Sequence, residues 1–309
     1  MSAPLPLPAL DALPAARTLN ALPAVGTLER WALDYICTVD LDEKLSPRPA
    51  PRALEPDAPV RKISEPGRPV LLAKRGRPRK TPSAEALRSP ARRAELMHTF
   101  WHHELQAAEL FCWAILAFPH APPAFRRGLA RIAIEETRHM RLYTAYLASL
   151  DYAIGAFPVH DWFWERIPSA ADPASFVAVM GLGFEAANLD HTARFAERFR
   201  TAGDVAGAEL IERVGLEELA HVRFARRWFA HFTAAASRTI DGASRTIDVA
   251  APRDDVRHAA IDFATWRAAL PAPLSPLVFR GKPIARNARL RAGLDARFVD
   301  ALEAWTPEW

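Results

Sequence analysis

Glu104-Leu105-Gln106-Ala107-Ala108 with Glu135-Glu136-Thr137-Arg138-His139, and then Glu185 with Glu217-Glu218-Leu219-Ala220-His221, are the stretches that decide the fold of this chain. In each half a lone glutamate precedes a Glu-x-x-His quartet. The interval from Glu104 to Glu136 matches that from Glu185 to Glu218 to within a single position. The lone glutamates and the quartets also recur at intervals that agree to within a single position. A single Glu-x-x-His is expected about once by chance in a chain this long, and Glu95-Leu96-Met97-His98 is such a case. The doubled, evenly spaced pattern is different. It is the ligand set of a carboxylate-bridged two-metal site inside a four-helix bundle.

The spacing has a geometric meaning. The arm from Glu104 to a helix end near Phe118 and the arm from Pro122 back to Glu136 are equal in length. Each arm rises about 21 Å, so both carboxylates return to one height across the turn that holds Pro119, Pro122 and Pro123. The second half does the same around Thr201-Ala202-Gly203-Asp204, where Gly203 reads as a C-terminal cap and Asp204 as the next N-cap. Helical periodicity places Glu104 with Met97, Phe100, Ala108, Phe111 and Ile115, and Glu136 with Leu129, Ile132, His139, Met140 and Tyr143. Glu185 falls with Leu182, Leu189 and Phe199, and Glu218 with Ile211, Val214, His221 and Val222. Four carboxylates on core-facing stripes are costly unless paired or metal-bound. Two divalent cations would balance four such charges.

Other residues compete for these roles. Glu109 rivals Glu104 but shares its stripe with Glu95, His98, His102 and Trp113, which reads as mixed and more solvated, so Glu104 is favoured. His102, His103 and His191 read as ordinary helix histidines. Glu135 and Glu217 each lie about 100° round the helix from a ligand glutamate. They either take the second N–H of a metal-bound histidine or are solvated helix glutamates, and both readings stand. Tyr143, one turn after His139, either hydrogen-bonds near the site or carries an electron, or is a plain core tyrosine. Gly181, Gly183, Ala186 and Ala187 around Glu185 leave room for a pocket or for close helix packing, the second being favoured.

The rest of the chain frames this centre. It has 309 residues, half of them apolar, a formal net charge of +4 and little strand-like alternation, which fits an all-α protein. Residues 1–90 read as a proline-rich and basic extension with one short helix at Thr27–Cys37. Residues 91–236 read as four long helices at 91–117, 122–150, 173–201 and 204–236, with one long crossover at 151–172. Residues 237–309 read as a loop expanded by the duplicated Ser-Arg-Thr-Ile-Asp, then a C-terminal extension whose aromatic residues pack on the bundle. Cys37 and Cys112 offer no disulfide framework and suit a reducing cytoplasm. The stretch from Met1 to Leu22 lacks a basic leader, and no apolar run is long enough for a membrane. Residues 60–93 carry eleven Lys/Arg and two Glu, including Lys74-Arg75-Gly76-Arg77-Pro78-Arg79-Lys80. That run is similar to an AT-hook, but a solvated linker is favoured over nucleic-acid binding.

The two acidic-Glu-x-x-His segments and Glu104–Ala108 resemble those of bacterioferritins, in the ferritin-like superfamily. The resemblance implies that Glu104, Glu136, His139, Glu185, Glu218 and His221 are metal ligands, that Glu136 and Glu218 bridge, and that Glu135 and Glu217 orient the histidines. A closer likeness is to the bacterial ferritin-like family called domain of unknown function 455. It is carried by Glu65-Pro66-Gly67-Arg68-Pro69, His103–Ala107, Phe157-Pro158-Val159-His160-Asp161 and Ala288-Arg289-Leu290-Arg291-Ala292-Gly293, across roughly residues 27–296. His191 departs from that pattern, where a small or apolar residue is expected.

Mixed carboxylate and imidazole ligands suit iron or manganese. The expectation is therefore two iron ions, or an iron–manganese pair, with O2 as co-substrate, in an oxidase or hydroxylase of an organic substrate supplied by an electron donor. The alternatives are a ferroxidase or iron-handling protein, and a tRNA-type hydroxylase supported only by the basic lead. The long extensions argue against a compact cage, though not against a homodimer.

Overall fold

The computed structural model describes residues 21–73, 76, 81–240 and 260–307. The first twenty residues, the basic run Lys74–Lys80 apart from Gly76, and 241–259 with most of the duplication lie outside these. The regular elements among the described residues are all helices, with no strand. No described helix is long and apolar enough to cross a membrane.

Two short helices come first, α1 (Leu28–Cys37) and α2 (Leu41–Leu45). The hydroxyl of Thr27 caps α1 by accepting from Arg30 N at 3.3 Å, and Asp40 caps α2 by accepting from Asp42 N at 2.7 Å. The lead is thus more structured than one helix. α1 buries Leu28, Ala32, Leu33 and Ile36 against α3 and α4.

Four long helical stretches follow. They are α3 (Pro90–Ala117), α4 (Pro123–Ser149), α5 (Pro173–Val179) continuing through a wide π turn (Met180–Glu185) into α6 (Ala186–Thr201), and α7 (Val205–Ile240). Pro90, Pro123 and Pro173 open their helices, where the missing N–H costs nothing. Asp172 caps α5 by accepting from Ser175 N at 2.8 Å. Gly203, at φ +84°, turns the chain between α6 and α7, and Asp204 accepts from Gly207 N at 2.8 Å. α7 runs to Ile240, into the duplicated segment, so that part is helix and not loop.

α3 lies along α4 and α6 along α7, and α4 meets α7 to join the two pairs. Direction is set by the connection from α4 to α5. Gly155 N donates to His98 Nε2 at 2.9 Å, Phe163 N to Gln106 Oε1 at 3.1 Å, and Trp164 Nε1 to Glu109 Oε2 at 2.8 Å. Residue numbers rise together on both sides, so the connection travels the length of α3 in α3's own direction. α5 and α6 therefore run with α4, and α7 runs with α3. An ion pair of 2.8 Å between Arg93 Nε and Asp204 Oδ2 ties the start of α3 to the α6–α7 turn.

The C-terminal segment carries α8 (Phe263–Ala268), a turn at Pro276–Phe279, α9 (Arg286–Arg291) and α10 (Ala296–Ala304). Trp266 is buried and donates to Ala178 O at 2.9 Å. α9 rests on α6 and α7.

Candidate metal centre

Glu104 comes from the middle of α3, Glu136 and His139 from α4, Glu185 from the last position of the π turn, and Glu218 and His221 from α7. All six side chains are buried. They form two overlapping quartets. One oxygen or nitrogen from each of Glu104, Glu136, His139 and Glu218 lies within 4.8 Å of the others, and the same holds for Glu136, Glu185, Glu218 and His221. Glu136 and Glu218 belong to both sets, so each is placed between two potential ion positions.

The π turn is the element that sequence reading missed here. It widens one turn of the helix by an inserted position, and such turns are recurrent at functional sites. A Cβ at Gly181 would lie 2.1 Å from the Ala225 Cβ on α7, and one at Gly183 would lie 2.6 Å from the Phe279 ring. Both glycines therefore serve close packing, and Gly181 lets the turn that ends at Glu185 approach α7.

The histidines are oriented across the two helices. His139 Nδ1 faces the cluster, 3.0 Å from Glu136 Oε2 and 3.5 Å from Glu218 Oε1. Its Nε2 meets Glu217 Oε2 on α7 at 2.9 Å. His221 repeats this, with Nδ1 at 2.8 Å from Glu218 Oε2 and Nε2 at 2.8 Å from Glu135 Oε2 on α4. Each acidic neighbour thus reaches the histidine of the other quartet. A carboxylate at Nε2 selects the N–H on that side and leaves Nδ1 bare toward the centre. Glu217 is further held by Arg138 and is brought down to about 2, chiefly by its bond to His139.

Protonation shows what the cluster costs when it holds only protons. Burial pushes Glu104 well above the usual carboxylate range, with Glu136 adding to it. Glu185 is raised in the same way, by burial and then by Glu218. Burial also opposes ionisation of Glu136, but His221 and His139 outweigh it and hold that group low. Burial disfavours the charged form of both histidines, yet the carboxylates around them raise both well above the ordinary range. Glu136 Oε1 is buried with no hydrogen-bond partner, although His221 Nδ1 stands 3.1 Å away, off the hydrogen-bonding direction. An orphaned carboxylate oxygen amid four acids and two imidazoles fits a pair of divalent cations. Tyr143 is buried near these carboxylates, and its phenol is pushed well up by burial and then by Glu104, Glu218 and Glu136.

A family model described as "Protein of unknown function (DUF455)" matches residues 36–300. The chain belongs to the DUF455 family. An uncharacterized protein of Haemophilus influenzae is 27% identical over 172 residues, which are 53% of this chain and 58% of that protein. The chain thus spans a little over half the length of this curated relative. No solved structure matches.

In this DUF455 protein three of the segments quoted above are joined by hydrogen bonds, Arg68 to Asp161 Oδ1 and Gln106 to His160 O. Gly67 N donates to Ile36 O at 2.8 Å, and a Cβ on Gly67 would lie 2.1 Å from Cys37 O. Only glycine fits there, and the contact delivers Arg68 to Glu109. Glu109 is fully buried. It takes Lys44 Nζ at 2.8 Å, Arg68 Nη1 and Trp164 Nε1, while Arg68 Nη2 reaches Asp161 Oδ1 at 3.0 Å. Burial opposes the charge on Glu109, but Arg68 and Lys44 hold it low. Glu109 is therefore absent from both quartets, and the expected solvation of its stripe is wrong. His98, His102 and Trp113 are buried with it, the histidines under the α4–α5 connection and Trp113 against Ile63 and Phe176. His102 faces Asp161, with Nε2 at 3.3 Å from Oδ1.

Arg289 belongs to the other end of the chain and is equally buried. It donates to Asp190 on α6 at 3.0 and 2.7 Å and to Phe279 O at 2.8 Å. This fixes the turn at Pro276–Phe279 beside the π turn. A cavity of about 200 Å³ lies there, with Glu104 and Glu185 in its wall alongside Ala187 and His191. His191 Nδ1 is 2.9 Å from Arg194 Nη2. The residue that departs from the expected pattern is thus a polar group facing the cavity.

Proposed function

We propose that this protein is a ferritin-like carboxylate protein that holds two iron ions, or an iron–manganese pair, and uses O2 to oxidise or hydroxylate a small organic substrate. The observation that carries the reading is the sharing of Glu136 and Glu218 by two otherwise separate quartets. Glu104 and His139 complete one position, and Glu185 and His221 the other. When bound, two ferrous ions supply dioxygen with a pair of electrons, which an external donor must replace.

The chain's own residues set the conditions. Glu217 and Glu135 hold the Nε2 protons of His139 and His221, so that Nδ1 is the donor atom in both cases. Glu136 and Glu218 are fully buried, which keeps water from the shared side. Glu104 and Glu185 border the cavity, so an organic molecule can approach from that side. The cavity favours an organic substrate over ferroxidase or storage chemistry. The protonated Glu104 and Glu185 must lose their protons as metal enters, so loading releases acid.

The test is anaerobic Fe(II) loading followed by metal analysis and exposure to air. About two ions per chain are expected for one dinuclear site, with a transient visible absorption on aeration. Many ions per chain would instead favour storage. Glu136→Ala and His221→Ala should each lose tight binding, and retention of both ions by both variants overturns the ligand assignment.

A further inference from the structure

We infer that the cavity beside Glu104 and Glu185 binds a neutral molecule built on one aromatic ring and bearing one hydrogen-bonding group. Taking this ligand as the substrate class rests on the di-metal reading above. Its binding rests on the cavity alone.

Size comes first. An engineered cavity of about 150 Å³ lined by aliphatic and aromatic side chains binds benzene. The 200 Å³ here admits a ring with a small substituent. Shape follows from the walls. Phe163 and Phe184 stack with centroids 4.7 Å apart and planes 28° apart, and Trp162 stands edge-on to Phe184 at 5.3 Å. Arg166 lies over Trp162 at 4.0 Å and braces it. A planar guest gains contact with such a wall beyond simple area burial.

The polar part of the lining is His103, Asn188, His191 and the carboxyl groups of Glu104 and Glu185. His103 makes a ring contact with Phe163 at 4.9 Å and no hydrogen bond to the described residues, so its nitrogens are free to meet a ligand. Asn188 also faces the cavity and donates to Glu218 Oε1 at 3.4 Å. No lysine or arginine is among the described residues lining the space, so an anionic substituent finds no cationic side chain there.

Calorimetric titration of the metal-analysed protein tests this, with phenol as the probe and benzenesulfonate and cyclohexanol as the charged and saturated counterparts. Phenol should saturate one site per chain, with both counterparts at least about ten-fold weaker, a difference near 1.4 kcal/mol. Two variants place the site. Ala187→Phe fills the cavity from α6. Val278→Trp fills it from the C-terminal turn, at a position 38% exposed where a larger side chain does not strain the core. Each should weaken phenol about ten-fold or more while metal content stays at the wild-type level. The inference is overturned if phenol does not saturate fully metallated protein, if benzenesulfonate or cyclohexanol binds as well, or if both variants bind phenol like wild type. Phenol binding at this site in protein that takes up no metal would uphold the cavity and count against the di-metal reading.

Discussion

Glu217 shows how much one side chain governs at this centre. Its carboxylate sits between His139 Nε2 and Arg138, so it fixes the imidazole's tautomer while remaining tied to the surface. Glu217→Gln keeps the shape but removes the charge that makes Nδ1 a better donor. Losing such a partner weakens metal binding by about 10–100-fold, and chelator competition measures it. A glutamate with only a surface role would leave the affinity unchanged. Tyr143 and the other core aromatic residues of the four helices do not need to change for this effect to appear, because the bond is local to α4 and α7.

The π turn carries the same logic to a whole element. Gly181 lets the α5–α6 stretch approach Ala225 on α7, and Glu185 sits at the end of that turn. Gly181→Ala puts two methyl carbons in one space and should cost about 1–3 kcal/mol by overpacking. Adding Ala225→Gly removes the clash, so the pair should show a favourable coupling in chemical denaturation; the cost of about 1 kcal/mol for glycine in a helix falls on Ala225→Gly alone and on the pair alike, and cancels from the coupling. Additive destabilisation would mean the two residues do not press on each other. The convergence of the six side chains was legible in the sequence because both hairpins have arms of matched length and the quartets stay in helical phase. The π turn was not, since a single inserted position leaves no periodic mark over so short a stretch. Glu109 was misread for a different reason. Its partners Lys44 and Arg68 lie 65 and 41 residues upstream, and helical phase on α3 says nothing about what the α4–α5 connection covers.

Over the whole molecule, the described segments before α3 and after α7 are locked to the helices by buried charge. Asp190 takes Gly281 N, Ala285 N and the Nε and Nη2 of Arg289. Asp190→Ala would strand a fully buried guanidinium, a loss of about 3–5 kcal/mol, seen in the denaturation midpoint. A change below about 1 kcal/mol would place this contact among weak surface pairs. The proposed metal centre would add a second global property, a dependence of stability on pH that loading removes. Without metal, the His139 and His221 contributions are complete below their ordinary value of 6.5 and fade as pH rises through their raised values. Glu104 and Glu185, raised above 4.5, stay protonated in the fold while the unfolded chain ionises, which also favours unfolding as pH rises. Glu136, held low, gives stability that is lost only in acid. From the ordinary imidazole value of 6.5 upward, until the raised values are passed, the first two sets act together, so chelated protein should melt at a lower temperature as pH rises over that range. Metal takes the place of those protons, and its affinity grows as they leave. At saturating metal the loaded protein should therefore hold its melting temperature across that range, and the gap between loaded and chelated samples should widen with pH. Thermal unfolding of both forms across this range decides it, because a gap that narrows toward alkaline pH would mean the four acids and two imidazoles are not sharing protons in the metal-free fold.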